Sequence, residues 1–79
     1  MVFLSYELSE LMKRLEEKMK KESADGINGI VLESEPISVD SLEKLQAYHL
    51  ITGFFFNFEG KRVFSYAFTH EGKYWLRTH

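Results

Sequence analysis

The chain has 79 residues, no cysteine, and ten basic against twelve acidic side chains, for a formal net charge of −2. That length supports one domain, 1–79, close to the smallest core that holds without staples, and the absence of cysteine excludes disulfides and thiolate metal sites. The charge gives no general attraction to nucleic acid, and without a long apolar run or a basic N-terminal region the chain is expected to be soluble, cytoplasmic and free of membrane contact.

Hydrophobic residues make up 44% and charged residues 28%, the balance of a folded domain rather than a disordered chain. The charges are unevenly placed. From Glu22 to Glu43 there are six acids and no Lys or Arg, and from Lys44 to His79 there are five bases against two acids. An acidic middle and a basic end mark either different working surfaces or ordinary solvation.

Ser5 is a candidate N-cap, with Glu7 in the first turn to meet the helix dipole. Leu8, Leu11, Met12, Leu15 and Met19 then recur at helical spacing and predict a helix over roughly 5–24. Glu10 with Arg14, Glu16 with Lys20 and Glu17 with Lys21 are favourable pairs four residues apart. Lys20 and Lys21 suit the last turn, and Gly26 is the expected stop. The apolar stripe serves the core, or one end of this long helix pairs with another subunit.

Ile27, Ile30, Val31 and Leu32 form a short strand-like run, ended by Glu33-Ser34-Glu35-Pro36 because proline offers no ladder donor. The second helix opens at Ser38 or Asp40, the latter with Glu43 at capping-box spacing. Leu42 and Leu45 are its core positions, with Tyr48 or His49 one turn on, and it ends near His49.

Residues 50–69 read as one aromatic β-hairpin around the turn Glu59-Gly60-Lys61. Nine of the twelve aromatic residues lie between Phe54 and Trp75. Phe54, Phe56 and Phe58 share one face of the first arm; Phe64, Tyr66 and Phe68 share one face of the second, opposite Val63, Ser65 and Ala67. An isolated hairpin is not stable in water, so the rest of the chain must cover one aromatic face. Thr69 is the expected N-cap of a last helix, His70 to Arg77, carrying Tyr74, Trp75 and Leu76. Gly72 in its first turn costs helix stability, which points to a close approach by another backbone. The fold class is α+β, in the order α-β-α-β-β-α.

Leu42, Leu45, Leu50 and Ile51, followed by the hairpin and by Thr69, Gly72 and Leu76, resemble the second half of a winged-helix domain of bacterial or phage type. Such domains carry a helix written Leu-x-x-Leu-x-x-x-Gly-Leu-Ile, then a wing, then Thr-x-x-Gly-x-x-x-Leu. The resemblance covers residues 38–78, and Tyr66-Ala-Phe-Thr-His-Glu-Gly-Lys-Tyr-Trp-Leu76 is similar to the close of such wings. Two departures stand out. His49 replaces the family's glycine, and Ser23 to Ile37 reads as strand and loop where a helix is expected. The resemblance implies a small winged-helix-like domain with a reduced helix-turn-helix. It also implies a non-enzymatic regulatory protein that binds double-stranded DNA, with helix 38–49 as recognition helix. On that basis the nucleic-acid-binding residues are Ser41, Lys44, Gln46 and His49, with Lys61 and Arg62 at the wing tip.

The alternative from the residues themselves is a protein-interaction module, a homodimer or a binder of another chain through the aromatic hairpin or the first helix. Arg62 to Phe68 also loosely resembles a base-stacking strand of RNA-binding folds, which would need Phe55 or Tyr66 exposed. His49, His70 and His79 lack metal-ligand spacing, and no nucleophile elbow or phosphate loop is present. No cofactor, metal or small-molecule substrate is therefore expected.

Overall fold

A computed structural model describes residues 3–23 and 27–79. Helix α1 (Tyr6–Glu22) starts where expected, with the Ser5 hydroxyl accepting from the Leu8 amide. Its buried positions are Leu8, Met12, Leu15 and Met19, with Leu11 packed beside them. Glu17–Lys21 closes to 2.9 Å and Glu16–Lys20 to 3.9 Å, whereas no ion pair joins Glu10 to Arg14 among the described residues. Gly26, the expected stop, lies outside the described residues.

Three strands form one antiparallel sheet: β1 (Gly29–Leu32), β2 (Ile51–Phe58) and β3 (Lys61–Phe68), in the order β1-β3-β2. The central strand is thus the second arm of the hairpin, and β1 and β2 are both edges. Glu59 and Gly60 make the two-residue turn, both at positive φ (51° and 77°), as a type I′ hairpin requires.

Helix α2 (Val39–Ala47) is capped by Ser38, whose hydroxyl accepts from the Ser41 amide, so the Ser38 alternative holds over Asp40. Leu42 and Leu45 are buried, but neither Tyr48 nor His49 follows them inward; the next core residue is Leu50. The reason is the helix end. His49 adopts a left-handed φ of 61°, its amide bonds the Gln46 carbonyl, and the Leu50 amide bonds the Leu45 carbonyl. This is a Schellman turn with histidine in the position that glycine usually fills. It rotates Tyr48 and His49 outward and drops Leu50 into the core.

Helix α3 (His70–Thr78) is capped by Thr69, which accepts from the Gly72 amide. Thr69 also ties the two ends of the hairpin together: its amide bonds the Leu50 carbonyl at 3.1 Å and its hydroxyl donates to the His49 carbonyl. Between β1 and α2 the chain is turn and loop, without a helix. Among the described residues the fold is therefore α+β, with three helices and a three-stranded antiparallel sheet, in the expected element order.

Candidate interaction surface

The cross-strand register assigns every side chain to one of two faces. Gly29 and Gly53 flank Tyr66, while Val31 and Phe55 flank Phe64, and this face meets the helices. Tyr66 and Phe64 are almost fully buried, in one cluster with Leu8, Met12, Leu15, Leu42, Leu45 and Trp75. The Tyr66 hydroxyl donates to the Leu15 carbonyl at 2.6 Å. Burial, with the charges of Glu22 and Glu35 acting in the same sense, holds its phenol far above the ordinary range.

The opposite face carries Ile30 and Leu32 from β1, Thr52, Phe54, Phe56 and Phe58 from β2, and Lys61, Val63, Ser65 and Ala67 from β3. Phe54 and Phe58 are 63% and 60% exposed, and Ile30 and Leu32 are each 48% exposed. Val63 alone on this face is buried, at 4% exposure, yet it stands outside the core cluster. Its register partners Leu32 and Phe56 enclose it from either side. A second, small apolar cluster therefore lies on the far side of the sheet, and no described helix covers it. Taking roughly 200 Å² for a whole aromatic side chain, the four most exposed residues leave on the order of 400 Å² of apolar area open. That lies within the range of patches on folded chains that carry function.

The face holds one charge, Lys61, at the hairpin end. Its contour is a ridge, Phe54-Phe56-Phe58, whose first two rings sit 5.8 Å apart. Beside it runs a lower line along β3, where Ser65 and Ala67 are small, and Ile30 and Leu32 bound that line on the other side.

The six residues expected to contact DNA are only partly brought together. Lys44 and Lys61 are exposed and enter no ion pair among the described residues. Gln46 is turned to the sheet, its amide donating to the Gly53 carbonyl at 3.1 Å. Arg62 lies on the helix-facing side of β3, its guanidinium 4.5 Å from the centre of the Phe55 ring. Ser41 is half-buried and lines a depression with Leu11, Arg14 and Ile37, and His49 serves the helix end. Asp40, Glu43 and Glu59 are exposed on the same helix and turn. Other cations lie elsewhere: Lys20, Lys73 and Arg77, with Glu16 beside Lys20, line a groove between α1 and α3 together with Met19, Phe68, His70 and Leu76.

Base stacking on Phe55 or Tyr66 is corrected by the burial. Tyr66 is 1% exposed, and Phe55 is half-buried against Phe64 with Arg62 over its ring. The rings that do face outward, Phe54 and Phe58, have only Lys61 on their face to meet a phosphate backbone.

One ion pair bridges α1 to the loop after β1. Lys18 contacts Glu35 at 2.6 Å and Glu22 at 2.8 Å, and Glu35 also accepts from the Leu32 amide. Burial disfavours the Glu35 carboxylate, but the hydrogen bonds from Lys18 and Leu32 and the Lys18 charge outweigh it and hold its pKa below the ordinary value. Burial likewise opposes the Lys18 ammonium, and its two carboxylate partners overcome it, so its pKa is raised. This pair is a structural clamp that ties α1 to the loop at the end of β1. Among the described residues no group of three or more His, Asp or Glu side chains is placed to hold a metal ion, and no helix is long and apolar enough to cross a membrane.

Comparison of the chain with protein-family models, with curated proteins and with solved structures finds no match.

The outer-face residues Ile30, Leu32, Phe54, Phe56 and Phe58 were not singled out as a unit by sequence reasoning. The run Phe54-Phe55-Phe56 puts aromatics on both faces of β2, so polarity cannot say which side is covered. The usable signal was glycine. Gly53 and Gly29 make room for the Phe64 and Tyr66 rings respectively, which marks the packed face.

Proposed function

We propose that the protein is a non-enzymatic protein-interaction module whose contact surface is the outer face of its sheet. The observation that carries this reading is the exposure of Phe54 and Phe58, with Ile30 and Leu32, around the enclosed Val63. Exposed aromatic and aliphatic side chains in one patch lose free energy to water that a partner surface recovers. The near absence of charge on the face suits the dry centre of an interface. The test is a double variant, Phe54→Lys with Phe58→Lys. It should keep the wild-type circular dichroism and melting behaviour while losing the association that wild type shows by light scattering or by a co-purifying chain. Unchanged association, or loss of the fold, would count against the outer face as an interface.

A second reading, binding to double-stranded DNA through α2 and the hairpin tip, is supported by the order of α2, hairpin and Thr69–Leu76, which follows the winged-helix pattern. The exposed Lys44 and Lys61 suit it, and Asp40, Glu43 and Glu59 oppose it. Phosphate contacts would make affinity fall steeply with salt. A labelled duplex at low salt, with Lys61→Glu as control, decides this reading; absence of binding there removes it.

A further inference from the structure

We infer that the outer face pairs with the same face of a second copy of this chain, the Phe54 end of each copy's phenylalanine ridge lying in the Ser65-Ala67 furrow of the other. The inference rests on the reading of that face as an interface and names its occupant. Three observations converge on a second copy.

The first is relief. Across the face the side chains run high on β2, low on β3 at Ser65 and Ala67, and high again on β1. A twofold axis lying between the two sheets, parallel to the strands and midway between β2 and β3, sets each ridge over the other copy's furrow. Residues at the same height along the strands then meet. Phe54 lies opposite Ser65 in the register, so Phe54 of one copy falls on Ser65 of the other, twice; Phe56 meets the Phe56 and Leu32 side chains that already cover Val63. The contact is isologous and closes on itself. An axis perpendicular to the strands would instead set ridge on ridge.

The second is charge. A surface that meets itself sets each of its charges near the same charge of the other copy. The outer positions of all three strands hold only Lys61, at the hairpin end, where it faces Phe58 in the register and would meet the Phe58 ring of the other copy. A cation over an aromatic face is attractive. A differently charged partner has nothing here to recognise.

The third is area. The four most exposed residues open on the order of 400 Å² per copy. Phe56, Thr52, Ser65 and Ala67 add to this, while β1 faces no strand of the other copy and leaves Ile30 and Leu32 at the rim, so two faces bury somewhat under about 1,000 Å² in total, the size of a weak, transient pair. Two sheets stacked face to face at about 10 Å leave room for one interdigitated layer of side chains.

The experiment is sedimentation equilibrium of wild type, Phe54→Asp and Ser65→Trp over a wide concentration range, with circular dichroism on each to verify folding. Wild type should follow a monomer–dimer equilibrium. Phe54→Asp should weaken it by at least about thirtyfold, the weight of a central aromatic anchor. Ser65→Trp is the discriminating variant: it adds apolar surface but fills the furrow, so it should also weaken the dimer. Tighter association of Ser65→Trp overturns ridge-in-furrow pairing and leaves only general stickiness. A wild type that stays monomeric at millimolar concentration overturns the second copy as occupant. If that monomer still retains a co-purifying chain that Phe54→Asp loses, the face remains an interface for another protein. If it retains none, both the second copy and the interface reading fall.

Discussion

Tyr66 lays its ring across Gly29, its register partner on β1, so closely that a Cβ on Gly29 would stand 2.3 Å from the ring. The glycine is what lets the central strand bury a tyrosine flat against its neighbour and still reach the Leu15 carbonyl on α1. Gly29→Ala would force the ring aside and break that hydrogen bond. The expected cost is about 2–3 kcal/mol, as for overpacking in a tight core, read as a fall in the urea midpoint without a change in slope. A midpoint equal to wild type would show that the ring is free to move.

The Tyr66 phenol itself gives an alkaline signature. Its raised pKa means that the neutral phenol is the form the fold holds. Its contribution is complete below the ordinary value of 10.0 and is lost as pH rises from there toward the folded value. In a spectrophotometric titration, one of the four tyrosines should ionise only with unfolding, and Tyr66→Phe should abolish that late component. A titration of Tyr66→Phe that keeps the late component would contradict the burial.

Gly72 sets helix propensity against packing. Alanine is the better helix former by about 1 kcal/mol, yet a Cβ here would lie 2.0 Å from the Leu50 carbonyl oxygen, which is backbone. The clash wins. Gly72→Ala should destabilise by about 2 kcal/mol or more, measured by thermal or urea unfolding. Stabilisation would mean that α3 shifts away from the hairpin base at little cost.

The Lys18–Glu35 clamp defines a pH window. Glu35 has a depressed pKa, so its contribution is present above the ordinary carboxylate value of 4.5 and is lost as pH falls through the lower folded value. Lys18 has a raised pKa, so its contribution is present below the ordinary 10.5 and is lost as pH rises through the folded value. Glu35→Gln should flatten the acid limb of a stability–pH profile while lowering the plateau. An acid limb identical to wild type would assign acid sensitivity to other carboxylates.

The two faces of the sheet should differ sharply under truncation. Phe64→Ala removes a buried ring from the core cluster and should cost about 3–5 kcal/mol. Phe54→Ala, on the open face, should stay within about 0.5 kcal/mol for the monomer. Equal costs in chemical denaturation at low protein concentration would show that the outer cluster carries the fold.

Much of the architecture was legible in the residues. The spacing of Leu8, Leu11, Met12, Leu15 and Met19 gave the core face of α1, and Ser5, Ser38 and Thr69 all cap as hydroxyl residues should. Gly72 announced a close backbone approach, which proves to be Leu50. What was not legible was long-range. No local pattern says that β1 pairs with the second hairpin arm, and that pairing decides which aromatics face the helices. The outward rotation of Tyr48 and His49 follows from the left-handed turn at His49 rather than from helical spacing, and its one signal in the sequence was that His49 stands where the winged-helix pattern has glycine. Arg62, read as a wing-tip cation, is exposed beside the hairpin turn, and the sequence did not show that its guanidinium lies over the Phe55 ring.

The edge position of β2 has a consequence for how the chain behaves when its fold is weakened. Ile51–Phe58 is eight residues long, carries no charge and no proline, and has four phenylalanines. Such segments template cross-β stacking when their edge is presented to other chains. In the folded chain Gln46 engages the strand at Gly53, and the Thr69 bridge holds His49 and Leu50 just before it. Loosening either hold would leave more of the strand's free edge open to other chains, so the helix end at His49 and the hairpin base at Thr69 cover an edge as well as shape a turn.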